Sequence, residues 1–148
     1  MNEAVIRDGL IRHWRYEGID YDKSHEIYHD DAVLEFPQSG ERFVGKEKFL
    51  AWRRKYPAKL DFRIRKISHD GDLWVTENLL SYDGGPWMFT LNVLRFRDER
   101  IAHERLYVME GFDAASWRAE WADSFDPLEA ITPEDWRAGG ESDSTIDA

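Results

Sequence analysis

The 148-residue sequence has no cysteine, which excludes disulfides, thiolate metal sites and a thiol nucleophile. Basic residues are also scarce: 20 Lys and Arg stand against 30 Asp and Glu, for a formal net charge of −10. So acidic a chain suits neither a phosphate backbone nor an anionic lipid surface, so no nucleic acid and no membrane is expected as a partner. There is no run of roughly eighteen apolar residues, and the opening MNEAVIRDGLIR has no signal-type apolar stretch. A cytoplasmic location is the expectation. Missing too are a Gly-rich phosphate loop, a G-x-S-x-G nucleophile turn and a basic stripe interleaved with aromatics. No cofactor and no metal is expected.

What the sequence does contain is core material. It is 42% hydrophobic and 14% aromatic with seven Trp, enough to bury a real core in one domain. From Asp126 onward seven acids face one base, and the stretch from Gly139 to Thr145 is polar throughout. The expected organisation is one domain over residues 1–125 and an acidic tail over 126–148. Within that tail Thr132-Pro133-Glu134-Asp135-Trp136 predicts a short helix at 133–137.

Hydrophobic period sets the elements. Residues 3–17 predict a helix with Ile6, Leu10, Ile11 and Trp14 in one arc, His13 and Glu17 on the same side, and Gly18 as its stop. Tyr21 to His29 predicts a second short helix, with Ile27 and Tyr28 buried. Ala32 to Phe36 predicts a strand stopped by Pro37. A third helix opens at Gly45, buries Phe49, Leu50 and Trp52, and stops before Pro57. Four strands follow as a meander: Leu60 to Ser68, Leu73 to Tyr82, Trp87 to Phe96 and Ile101 to Met109. Asp70-Gly71-Asp72, Asp83-Gly84-Gly85-Pro86 and Asp98-Glu99 supply the turns. Asp113 is the expected cap of a last helix carrying Trp117 and Trp121. The fold class is α+β, with helices packed on one side of a curved antiparallel sheet.

Counting back from tight turns pairs the strands. Val93 then falls opposite Glu104, Leu91 opposite Leu106, Phe89 opposite Val108, and Leu80 opposite Phe89. One face collects Phe62, Ile64, Leu80, Trp87, Phe89, Leu91, Val93, Leu106 and Val108, interrupted by Thr76, Asn78, Tyr82 and Glu104. The other mixes Val75, Leu79, Leu94, Phe96 and Ile101 with Glu77, Asn92, His103, Arg105 and Tyr107. The apolar face is expected under the helices. The mixed face suits a second subunit, which predicts a homodimer.

The run Tyr28-His29-Asp30-Asp31-Ala32-Val33-Leu34-Glu35-Phe36-Pro37 with Gly40 to Gly45, then Phe96-Arg97-Asp98-Glu99-Arg100-Ile101 and Glu104-Arg105-Leu106-Tyr107-Val108, resembles the SnoaL-like branch of the nuclear transport factor 2-like superfamily. The element order over residues 3–123 resembles it as well. The resemblance implies a cone-shaped sheet, short N-terminal strands, an apolar pocket for a small molecule, and a dimer. The family's known chemistries fit these residues poorly. Where ketosteroid isomerases carry their base before the proline, this chain has Phe36, and their second acid falls at Leu91 or Asn92. Where limonene epoxide hydrolases carry Arg and Asp, this chain has Asn78 and Leu80, with Leu106 in place of a further Asp.

Several residues remain as candidate chemistry. Glu104, flanked by apolar neighbours, is the expected acid/base, with His13 relaying a proton; the plainer alternative pairs the two, or pairs Glu104 with an arginine, as structure. Asn78 and Tyr82 are expected to bond a ligand carbonyl, with Glu35 as a further polar contact and Trp14, Trp87, Phe89 and Leu106 as apolar lining. Each has a structural alternative in ordinary packing or mutual satisfaction. His25-Glu26-Ile27-Tyr28-His29 spells the H-E-x-x-H zinc pattern, but on too short a helix and without a third ligand. The function read from this is small-molecule binding. It extends to a cofactor-free isomerase, cyclase or dehydratase acting by proton transfer on a small apolar carbonyl or hydroxyl compound. The alternative is a ligand-binding or dimerisation domain without chemistry.

Overall fold

Helix α1, Glu3–Tyr16, starts where the Asn2 side chain accepts from the amides of Ala4 at 3.0 Å and Val5 at 3.3 Å. The structure, a computed structural model, describes residues 1–129. The predicted stripe of α1 is buried throughout. Gly18 ends the helix with φ +84°, and a Cβ there would lie 2.7 Å from the Leu60 carbonyl oxygen. That close approach pins the end of α1, including buried Glu17, against the start of the third strand.

Tyr21 to His29 is not one helix. Helix α2 covers only Tyr21–Ser24, a 3-10 turn covers His25–Ile27, and strand β1 begins at Tyr28 and runs to Phe36. Tyr28 pairs with Ile101 in the sheet and is 1% exposed, so tertiary pairing overrides the local helical pattern. Strand β2, Glu41–Val44, returns antiparallel to β1, and helix α3, Lys46–Arg54, buries Phe49 and Leu50. The meander follows as β3 Leu60–Asp70, β4 Leu73–Tyr82, β5 Met88–Arg97 and β6 Arg100–Met109. The six strands form one curved, unclosed sheet in the order β2-β1-β6-β5-β4-β3, in which β1 and β6 run parallel.

The counted register fails on β5, and the structure shows why. The turn at Asp98 and Glu99, both at positive φ, closes Arg97 on Arg100 as expected. A bulge then intervenes: Phe96 pairs with Ile101 but Arg95 pairs with His103, leaving Ala102 extra. Val93 therefore faces Arg105, Leu91 faces Tyr107, and Phe89 faces Met109. On the other side Phe89 pairs with Leu79 and Asn78 with Thr90. The effect is that β5 turns over. Thr90, Asn92, Leu94 and Phe96 lie buried on the helix side, and Phe89, Leu91 and Val93 lie on the outer side. Thr76, Asn78 and Glu104 keep their places under the helices.

The main core joins Ile6 and Leu10 of α1, Tyr28 and Leu34 of β1, Phe49 of α3, and Trp74, Leu94, Phe96 and Ile101 of the meander. A second cluster of Ile11, Trp14 and Ile64 sits beside it. Past β6, the expected last helix is a single 3-10 turn, Ser116–Trp121, with Trp117 and Trp121 exposed. The helix expected at 133–137 lies outside the described residues. No helix among the described residues is long and apolar enough to cross a membrane.

Candidate functional site

Between the helices and the inner sheet face lies a cavity of about 630 Å3, within the size range of small-molecule sites. Its wall is largely aromatic: Trp14 from α1, Phe36 from β1, Phe43 from β2, Trp52 from α3 and Phe62 from β3, with Leu80, Leu106 and Val108 between them. Exposed Gln38, Ser39 and Glu41 mark its mouth, and buried Glu17, Arg53 and Thr90 supply polar atoms at its inner end.

That inner end is a charged cluster held by two histidines. His13 Nδ1 lies 2.5 Å from the Ser24 carbonyl oxygen, which can only accept, so Nδ1 carries the hydrogen and Nε2 offers a lone pair. Glu17 Oε2 stands 3.5 Å from that Nε2 and has no hydrogen-bond partner among the described residues. Two acceptors facing each other in a buried site favour the uptake of a proton between them. Burial pushes the Glu17 carboxyl up to about 7, with Glu104 adding to the rise and Arg53 working against it. Burial also lowers His13 to about 3, against the Ser24 bond, so the proton resides on Glu17. His25 follows the same logic. Its Nδ1 donates to the Tyr21 carbonyl at 2.8 Å and its Nε2 accepts from Arg53 Nη1 at 3.0 Å. Burial and the Arg53 charge bring it down to about 2. Burial opposes the charge on Arg53 itself, but Tyr28, Glu17 and Glu104 outweigh it and move the group up.

Behind this cluster, Glu104 is 1% exposed and satisfied on both oxygens. Oε1 accepts from the Tyr28 hydroxyl and Oε2 from Asn92 Nδ2, each at 2.5 Å. Asn92 Oδ1 in turn accepts from Asn78 Nδ2 at 3.3 Å and Thr90 Oγ1 at 3.4 Å. A ladder of buried polar groups thus crosses the inner sheet face and ends at Tyr28, beside Arg53.

The sequence model described as a SnoaL-like domain matches residues 6–104. The chain belongs to that family. None of the curated proteins compared matches this SnoaL-like domain. Among solved structures it is similar to an NTF-2-like protein of unknown function from Burkholderia xenovorans LB400. Identity is 38%, coverage is 85% of this chain and 99% of that one, and the TM-score is 0.80. It shares its fold with a proposed ketosteroid isomerase from Kribbella flavida at 16% identity, TM-score 0.74, covering 86% of this chain and 96% of that one. It also shares it with an LEH-like epoxide hydrolase from M. tuberculosis at 23% identity, TM-score 0.57, covering 71% and 82%.

In this SnoaL-like domain Trp14, Tyr82 and Leu106 line the cavity. Glu104, His13 and Asn78 lie outside its lining, the first and last within the ladder and His13 behind Glu17. Phe89 is on the outer sheet face because β5 is turned over. Trp87 packs under the Arg63 guanidinium at 4.5 Å and borders a smaller recess with Pro86 and Met88. Glu35 is paired with Arg42 and with His103, which hold its carboxyl below the usual range, Arg42 foremost. His25 and His29 do not form a metal pair: Arg53 takes the first, and the Arg97 carbonyl bonds the second. Glu17 and Arg53 were absent from the expected site. Glu17 left a signal, since it shares the buried stripe of α1 two turns after Leu10. Arg53 left almost none, because a base in a helix's last turn reads as a dipole partner.

Proposed function

We propose that this SnoaL-like domain binds a small apolar carbonyl or hydroxyl compound in the cavity and moves a proton on it. Glu17 acts as the acid/base and Arg53 is the charge beside it. The observation that carries this reading is a buried carboxyl, with one oxygen unpartnered, lining an aromatic cavity together with a guanidinium. A group with a pKa near neutrality is present in both forms at pH 7 and serves in either direction. For a ketone, the carbon–hydrogen bond beside the carbonyl breaks, the proton passes to the Glu17 carboxylate, and the enolate oxygen faces Arg53. Return of a proton from Glu17 completes the exchange. Trp14, Tyr82 and Leu106 are ligand contacts in this reading, and Glu104 holds Tyr28 and Arg53 in place rather than touching the ligand.

The test needs no natural substrate. Cyclohexanone and 2-tetralone in D2O should quench Trp14 and Trp52 fluorescence on binding and gain deuterium beside the carbonyl faster than in buffer. Glu17→Gln should retain the quenching and lose the exchange. Exchange by Glu17→Gln at the wild-type rate would overturn the assignment. Quenching without exchange by the wild-type protein would leave a binding domain without chemistry. The closed hydrogen bonding around Glu104 favours that second reading.

A further inference from the structure

The cavity has a second polar feature that proton transfer at Glu17 leaves unused. Tyr56, just past α3, and Tyr82, at the end of β4, both line it. Their rings stack with centroids 6.0 Å apart and 27° between planes. Burial foremost, then the Tyr56 hydroxyl bonded to it, pushes Tyr82 up to about 12, so its hydrogen stays in place at neutral pH. Two hydroxyls joined by one hydrogen bond use one hydrogen between them and keep the other. Among the described residues neither hydroxyl has a further hydrogen-bond partner. One donor is therefore left over on the wall of an apolar cavity.

The pair is fixed relative to the acid. The Tyr56 amide donates to the Arg53 carbonyl at 3.1 Å. Lys59 and Asp83 exchange two hydrogen bonds of 2.8 Å each, which tie the loop after α3 to the end of β4. Tyr82 pairs with Leu60, whose carbonyl lies against Gly18, the neighbour of Glu17. Tyr56 is 37% exposed and Glu17 5%, so the hydroxyls stand toward the opening and the carboxyl inside. Leu60, Phe62 and Leu80 share the wall with them.

We propose that Tyr56 and Tyr82 select a ketone that carries a second oxygen, as a hydroxyl or carbonyl group, at its end facing the opening. This rests on the reading of the cavity as a ketone site with Glu17 and Arg53 at the reacting carbonyl, and it specifies the rest of the ligand. The spare tyrosine hydrogen is donated to that second oxygen, and the pair takes no part in the proton transfer. A ketone without the oxygen displaces water from the pair and leaves the donor unpaired, which is the source of the discrimination.

Isothermal titration calorimetry compares each ketone with a hydroxylated analogue: 2-tetralone with 6-hydroxy-2-tetralone, and cyclohexanone with 4-hydroxycyclohexanone. For the wild-type protein at least one hydroxy ketone should bind about five-fold tighter than its parent, the factor that one net hydrogen bond supplies. In Y56F/Y82F that preference should vanish, whatever the change in absolute affinity. Loosened packing alone would weaken parent and analogue together and leave the ratio in place. Equal wild-type affinity within both pairs overturns the proposal, as does a preference that Y56F/Y82F retains. Deuterium exchange on the same ketones keeps the two readings apart. A hydroxyl preference without exchange supports the tyrosines and refutes the acid/base at Glu17, and exchange without a preference does the reverse. If neither pair binds, both readings fall.

Discussion

Replacing Glu104 by Gln removes one charge and one acceptor at a site with no spare partner. The Asn92 amide is locked, because its oxygen already takes hydrogen bonds from Asn78 and Thr90. If the new NH2 faces Asn92, donor meets donor at the 2.5 Å now spanned by a hydrogen bond. If it faces Tyr28, the hydroxyl must turn its hydrogen away from its acceptor, with Arg53 already beside it. Either arrangement strands a buried donor and deprives Arg53 of a negative neighbour. Breaking a buried charged network from one side costs about 3 kcal/mol or more. For a domain of this size that lowers the melting midpoint by roughly 6 to 12 °C. Near-ultraviolet circular dichroism melts at pH 7 read it directly. Glu17→Gln is the internal contrast, since an amide replaces a group that already carries a proton half the time, and its midpoint should move by no more than about 2 °C. A Glu104→Gln midpoint within that same margin would refute the ladder as a structural unit.

The same cluster fixes how stability depends on pH. Lowered from 6.5 to about 3 and about 2, His13 and His25 contribute stability that is present above pH 6.5 and lost as the pH falls. Raised from 4.5 to about 7, Glu17 contributes stability that is present below pH 4.5 and lost as the pH rises through 7. Between pH 5 and 6 the unfolded chain therefore binds about one proton more than the folded chain, and stability rises by about 1.4 kcal/mol per pH unit. In Glu17→Gln the two histidines act unopposed, and urea titrations should show a slope of about 2.7 kcal/mol per unit; an unchanged slope would contradict the shift on Glu17. Gly18→Ala places a Cβ 2.7 Å from the Leu60 carbonyl at a φ of +84°, and should cost about 2 kcal/mol or more in chemical denaturation. Wild-type stability in that variant would mean that the end of α1 is not pinned as described.

Periodicity made most of the fold legible. The 3.6-residue stripe of α1 and the alternation of the meander each repeat often enough to stand above local noise, and the ends of the meander strands fall within about two residues of expectation, whereas β1 begins four residues early. What failed were features with no repeat. The bulge at Ala102 has no glycine and no turn residue to announce it, yet together with a one-residue shift in the β4–β5 pairing it moves the β5 side chains to the opposite face. Tyr28 sits in a sequence that reads equally well as helix, and only its pairing with Ile101 makes it strand. Both misreadings fall on the partners of Glu104, since Tyr28 and Asn92 are the groups that satisfy it. An isolated acid on an apolar face is thus legible as buried, but its partners are tertiary information. Glu17 was visible on its stripe. The lone pair of His13 that faces it depends on a carbonyl eleven residues away.

The account turns on the proton held by Glu17. Carbon-13 NMR of the protein labelled at glutamate side-chain carboxyls, titrated from acid to alkaline pH, measures it directly, with Glu17→Gln identifying the resonance. The account predicts a midpoint of about 7 for Glu17, well above the ordinary glutamate value of 4.5. A Glu17 midpoint in the ordinary carboxylate range would contradict it, and the cavity would then lose its acid/base.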